Sequence, residues 1–132
     1  MNIEHENEIT RAAFGQWVSG LFGAVCGWNS EATFEEQKEI FFLLLERMLN
    51  DGRVMFIMPG ADCYISSENP NPKLKIEDPE AHWRAPISEI MEFVRSRWPV
   101  KATGINDLEL NYYFYELPGL IWIGEDGKLI AS

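Results

Sequence analysis

The chain has 132 residues, 21 of them acidic and 11 basic, for a formal net charge of -10. That length suits one domain with a core of its own, and 46% hydrophobic with 13% aromatic residues excludes wholesale disorder. The charge excess repels nucleic acid and anionic membranes and favours basic protein partners.

The longest apolar run, Ile40 to Leu45, is six residues, far short of a membrane span. The start, Met1-Asn2-Ile3-Glu4-His5-Glu6, lacks the basic and apolar stretches of a signal peptide. Cys26 and Cys63 are too few for a disulfide framework and are not at metal-ligand spacing, so both read as free thiols. A single domain over 1–132 in the cytoplasm is expected.

In chain order, Ile9, Ala13, Trp17, Leu21 and Val25 recur at fourfold spacing and predict one buried helix over about 6–25. Phe14, Val18 and Phe22 widen its stripe, and the chain turns over Gly27-Trp28-Asn29-Ser30. Thr33 followed by Glu36 is a capping box, in which each side chain satisfies a free amide at a helix start. Phe34, Ile40, Phe41, Leu44, Leu45 and Met48 carry the apolar face of that second helix. Asn50-Asp51-Gly52 stops it, because glycine accepts the left-handed conformation there. Arg53 to Met58 predicts a buried strand ended by Pro59-Gly60.

From about 60 to 86, Pro70, Pro72, Pro79 and Pro86 with Ser66, Ser67, Asn69 and Asn71 predict a long surface loop. Asp78-Pro79-Glu80 offers a short helical turn within it. Ile87, Ile90, Met91, Val94 and Trp98 mark a further amphipathic helix, stopped by Pro99. Strands are then predicted over 111–117 and 119–124, with Glu125-Asp126-Gly127 as a hairpin turn and 128–131 as its return. The pieces add up to an α+β fold: helices packed on one face of a small, mainly antiparallel sheet with a C-terminal β-meander. The alternative is a helical domain with a separate C-terminal hairpin.

Candidate chemistry is sparse. Cys63 and His82 could in principle pair as nucleophile and base, but a lone Cys and a lone His coincide easily in a chain of this size. His5 with Glu4, Glu6 and Glu8 supplies only one nitrogen ligand for a metal. Carboxylate pairs such as Glu35/Glu39 and Glu77/Asp78 are abundant and read as solvated faces. Gly15, Gly20 and Gly23 lie in a helical pattern rather than after a strand, so no phosphate loop is present. Only Arg95 and Arg97 stand close together among the basic residues, which is no footprint for nucleic acid. A protein without catalysis, cofactor or metal is expected.

The run Tyr112-Tyr113-Phe114-Tyr115, read as a strand, sends alternate rings to opposite faces. Either both faces are covered, or an aromatic patch lies exposed beside Asp107, Glu109 and Glu116, a composition suited to an interface.

The order Phe34-Glu35-Glu36-Gln37-Lys38, Phe41, Leu45-Glu46-Arg47-Met48-Leu49 and Gly52-Arg53-Val54 resembles small bacterial proteins of an uncharacterised domain family. Trp98-Pro99, Pro118-Gly119, Trp122-Ile123 and Glu125-Asp126-Gly127 continue the pattern, which covers about 33–58 and 87–128. After the last turn Leu129-Ile130-Ala131 stands where the pattern has another Trp. Some such acidic proteins are similar to immunity partners of contact-dependent or other polymorphic bacterial toxins. The resemblance thus implies a protein that neutralises a cognate toxin, in all expectation a basic nuclease domain, by covering its active or substrate-binding surface. The alternative is a non-catalytic acidic adaptor of another class. The partner-binding patch is expected on the loop residues Asp62, Glu68, Glu77, Asp78, Glu80 and Trp83, and on Asp107, Glu109 and Glu116. The wet face of the second helix, Glu35, Glu39 and Glu46, is the second choice.

Overall fold

The computed structural model describes residues 3–131. The stripe read as one helix is two: α1 spans Glu6–Ala13 and α2 spans Val18–Trp28. The chain turns between them at Gly15, whose φ of +81° a side-chain-bearing residue resists. The turn is also held from afar, because the Trp122 indole N–H donates to the Gln16 carbonyl at 2.8 Å. Ile9, Ala13, Leu21, Phe22 and Val25 remain buried, so the two helices keep the stripe while changing direction.

Helix α3 spans Phe34–Asn50 and carries the expected capping box. The Glu36 amide donates to Thr33 Oγ1 at 3.1 Å, and the Thr33 amide donates to Glu36 Oε1 at 2.9 Å. Thr33→Ala is expected to lower stability by about 1 kcal/mol, read from the urea midpoint; no change would show that the box is dispensable. Glu6 of α1 meets Arg47 near the end of α3 and Arg53 at 3.0 Å, which ties the first helix to the C-terminal end of the third.

Strand β1 is Val54–Phe56, within the expected Arg53–Met58. A short 3-10 turn at Pro79–Ala81 falls where Asp78-Pro79 predicts one, and helix α4 follows at Ile87–Ser96. The predicted strand over 111–117 is overturned: Leu108–Glu116 forms helix α5. Leu110, Tyr113 and Phe114 are its buried residues, and Leu117 just past its end is buried too, which completes the i, i+3, i+4, i+7 spacing of a helix face. Helical burial of that stripe outweighs the strand preference of four consecutive aromatics, because the two-residue alternation of a strand would split Tyr113 from Phe114. Strands β2 (Leu120–Ile123) and β3 (Leu129–Ile130) close the described chain, joined by the expected turn with Gly127 at φ +82°.

The fold is α+β, with five helices and one antiparallel sheet of order β1-β2-β3 among the described residues. The meander is therefore completed by β1 rather than by 111–117. Val54 lies opposite Trp122, Phe56 opposite Leu120, and Trp122 opposite Ile130. Because β1 pairs with β2, the C-terminal hairpin is not a separate unit.

Alternation along the strands divides the sheet into two faces. Val54, Phe56, Leu120 and Trp122 join the helices in the main core, as the one-sided arrangement requires. Ile57 and Ile121, with Met55 and Leu129, form a second cluster on the other face. That face is covered by the proline-rich segment through Cys63, Leu74, Ile76 and Ala81. The segment also shields the β1 edge: the Met58 amide donates to the Ala81 carbonyl at 2.7 Å, and the Trp83 amide to the Phe56 carbonyl at 2.9 Å. A loop rich in proline can do this because it buries apolar side chains without needing ladder donors.

Candidate functional site

Helix α5 has two contrasting faces. Inward, the Tyr113 hydroxyl donates to the Val94 carbonyl at 2.6 Å, and burial raises its phenol pKa. Outward, Leu108, Tyr112 and Tyr115 are 64%, 58% and 82% exposed, with Glu109 and Glu116 exposed beside them. The exposed aromatic patch is thus Tyr112 with Tyr115, one helical turn apart, and neither Tyr112 with Phe114 nor Tyr113 with Tyr115, the pairs that a strand would place on one face. Isolated exposed apolar residues are ordinary, whereas a stripe of three along one helix is an interface composition.

A groove of about 550 Å³ runs from this stripe to the proline-rich segment, with Trp17, Tyr64, Phe93, Tyr115, Glu116 and Pro118 along its walls. The rings are held in place. The Trp17 indole N–H donates to the Phe114 carbonyl at 2.8 Å, and the Gly119 amide donates to the Tyr64 hydroxyl at 2.9 Å. The two ring centroids are 6.0 Å apart. Trp17 and Tyr115 also border a neighbouring groove of about 400 Å³. Neither Trp17 nor Tyr64 is signalled as a site residue by the sequence. Trp17 reads there as helix core, and Tyr64 has no periodic neighbours.

The carboxylates expected to bind a partner fall into two groups. Asp62, Asp78 and Asp107 are committed to closing their own loops. Asp62 accepts from the Asn69 side chain at 2.8 Å and the Lys73 amide at 3.1 Å. Asp78 accepts from the Lys75 amide at 2.8 Å, and Asp107 accepts from the Thr103 and Gly104 amides. These bonds favour the charged form, so the carboxyls of Asp62 and Asp107 sit below their ordinary range. Glu68, Glu77, Glu80, Glu109 and Glu116 are exposed and make no hydrogen bond or ion pair among the described residues. Of these, Glu116 borders the aromatic groove. Trp83 packs edge-on against Phe93 and Phe56, at centroid distances of 5.0 and 6.3 Å, and serves the core. On α3, Glu35 pairs with Lys38 at 2.7 Å and Glu39 with Arg95 at 3.4 Å, while Glu46 is exposed.

The other candidates come to little. His82 Nε2 is 2.6 Å from the Ile76 carbonyl, a contact in which that nitrogen must donate and so cannot act as a base. Burial and the neighbouring Asp62 raise the Cys63 thiol, the opposite of an activated nucleophile. Cys26 is pushed up to about 11 by burial, and its thiol lies 3.4 Å from the Gln37 side-chain oxygen. His5 stacks on Trp28 at 5.0 Å, and Glu6 is held by two arginines. Among the described residues no three His, Cys, Asp or Glu side chains form a metal-ligand group. No helix there is long and apolar enough to cross a membrane.

Compared with protein-family models, curated proteins and solved structures, the chain gives no match.

Proposed function

We propose that this protein is a non-catalytic immunity protein, which binds a basic bacterial toxin domain and covers its active or substrate-binding surface. The observation that carries the reading is the outer face of α5. Leu108, Tyr112 and Tyr115 are exposed there beside Glu109 and Glu116, on a chain of net charge -10. Rings supply contact area at low entropic cost, and unpaired carboxylates speed encounter with a basic surface. A nuclease cleft built for phosphates is such a surface, and nuclease–immunity complexes are among the tightest known. The free carboxylates Glu68, Glu77 and Glu80 on the proline-rich segment extend the same field.

The proposal requires a toxin gene directly upstream of this one, and the experiment is direct binding to the C-terminal domain of the toxin found there. Tight association is expected, with an on-rate that falls about tenfold or more on going from low to high salt. Failure to bind overturns the proposal. Tight binding with a salt-insensitive on-rate favours the adaptor reading, in which acidity serves solubility alone.

A further inference from the structure

The groove beside α5 has a more specific chemistry than an apolar patch. Its floor is two aromatic rings whose polar atoms are already satisfied inside the protein: the Trp17 indole by the Phe114 carbonyl and the Tyr64 hydroxyl by the Gly119 amide. What they offer outward is therefore ring face and edge. Tyr115, 82% exposed, forms one wall, and Glu116 follows it at the lip with no ion-pair partner among the described residues. The rings come this close because residue 119 is a glycine. A Cβ there would lie 2.9 Å from Ile57 Cδ1, 3.0 Å from Trp17 Cζ3 and 3.1 Å from Tyr64 Cε1. The far wall, Phe93, is already covered by the Arg97 guanidinium, 3.5 Å from its centroid. The open receptor is the Trp17–Tyr64–Tyr115–Glu116 side.

We infer that this side of the groove receives one arginine side chain of a basic protein partner, its guanidinium on the aromatic rings and its charge met by Glu116. Aromatic faces attract cations through the ring quadrupole, and a planar guanidinium stacks on them while keeping its edge free for a carboxylate. Arg97 on Phe93 is the same contact made within the chain. Charge complementarity selects the occupant: a chain of net charge -10 meets a basic surface with an unpaired carboxylate beside fixed rings. The inference rests on the proposed immunity reading for its source of arginine, and on the groove alone for its chemistry.

The test is an NMR titration of the full chain with a short arginine–glycine peptide, its lysine analogue and its citrulline analogue. The arginine peptide is expected to shift the Trp17 indole and Tyr115 ring resonances saturably, the lysine peptide less, and the neutral citrulline peptide not at all. Tyr115→Ala and Glu116→Gln should each weaken arginine-peptide binding about threefold or more. Both residues are exposed, and an unchanged melting temperature confirms that the variants are folded. Equal shifts from the citrulline peptide, or arginine-induced shifts confined to the regions of Glu68, Glu77 and Glu80, overturn the inference. Peptide binding as expected without toxin binding leaves the receptor standing and removes the immunity reading; toxin binding untouched by both variants does the reverse.

Discussion

Trp98→Ala is expected to cost about 3–5 kcal/mol, enough to consume much of the stability of a typical domain. Trp98 lies two residues past the end of α4 and is 7% exposed. Its ring lies 5.3 to 6.2 Å from those of Phe22, Phe34, Phe41, Phe42, Tyr113 and Phe114, most of them edge-on. These six come from α2, α3 and α5, so one truncation opens a cavity where three helices and the end of a fourth converge. Rigid rings set at fixed angles cannot collapse to fill it as aliphatic chains do, which places the cost at the upper end. Trp98→Phe keeps most of the contacts and should lose clearly less. Urea unfolding of both variants is the measurement. A loss below about 1 kcal/mol for Trp98→Ala would show that the cluster is loosely packed.

The second large effect is expected from the smallest addition. Gly119→Ala places a methyl group 2.9 to 3.1 Å from Ile57, Trp17 and Tyr64. The backbone cannot retreat easily, since the Gly119 amide donates to Tyr64 and its carbonyl accepts from the Ile57 amide at 2.8 Å. Ile57 is itself 2% exposed, and Trp17 is anchored through Phe114. Overpacking of this kind costs about 1–3 kcal/mol. The strain falls on the groove floor, so the Trp17 indole resonance should move along with the urea midpoint. An unaltered midpoint with an unaltered indole would show that the rings yield freely, and the groove would then not be preorganised.

Much of the candidate surface was hidden from the sequence for a physical reason. Glu109 and Glu116 could be singled out by their acidity beside aromatics, and both stand on the exposed face of α5. Asp62, Asp78 and Asp107 looked equivalent to them, yet Asp78 and Asp107 hold backbone amides of their own turns and Asp62 holds the Lys73 amide across its loop. Aspartate has a side chain short enough to reach neighbouring amides, and glutamate in a loop lacks that local reach. Loop position should therefore have counted against the aspartates. Trp17, Tyr64 and Tyr115 are far apart in the chain and share one groove only because Gly119 admits the first two rings against β2.

Local signals were sufficient wherever every partner lay within a few residues. Helix α3 follows from its capping box, its apolar period and Gly52, and the β2–β3 turn follows from Asp126-Gly127. Long-range contacts decided the rest. The break after α1 is sealed by Trp122 on Gln16, 106 residues away. The proline-rich segment, an irregular surface loop by composition, is the lid on one sheet face, because Ile57 and Ile121 would otherwise stand in water. In α5 the 110–113–114–117 spacing was present from the start, but single-residue preference pointed to a strand. Burial against α2 and α4 settled it, since only a helix turns Tyr113 and Phe114 together into the core while leaving Tyr112 and Tyr115 outside.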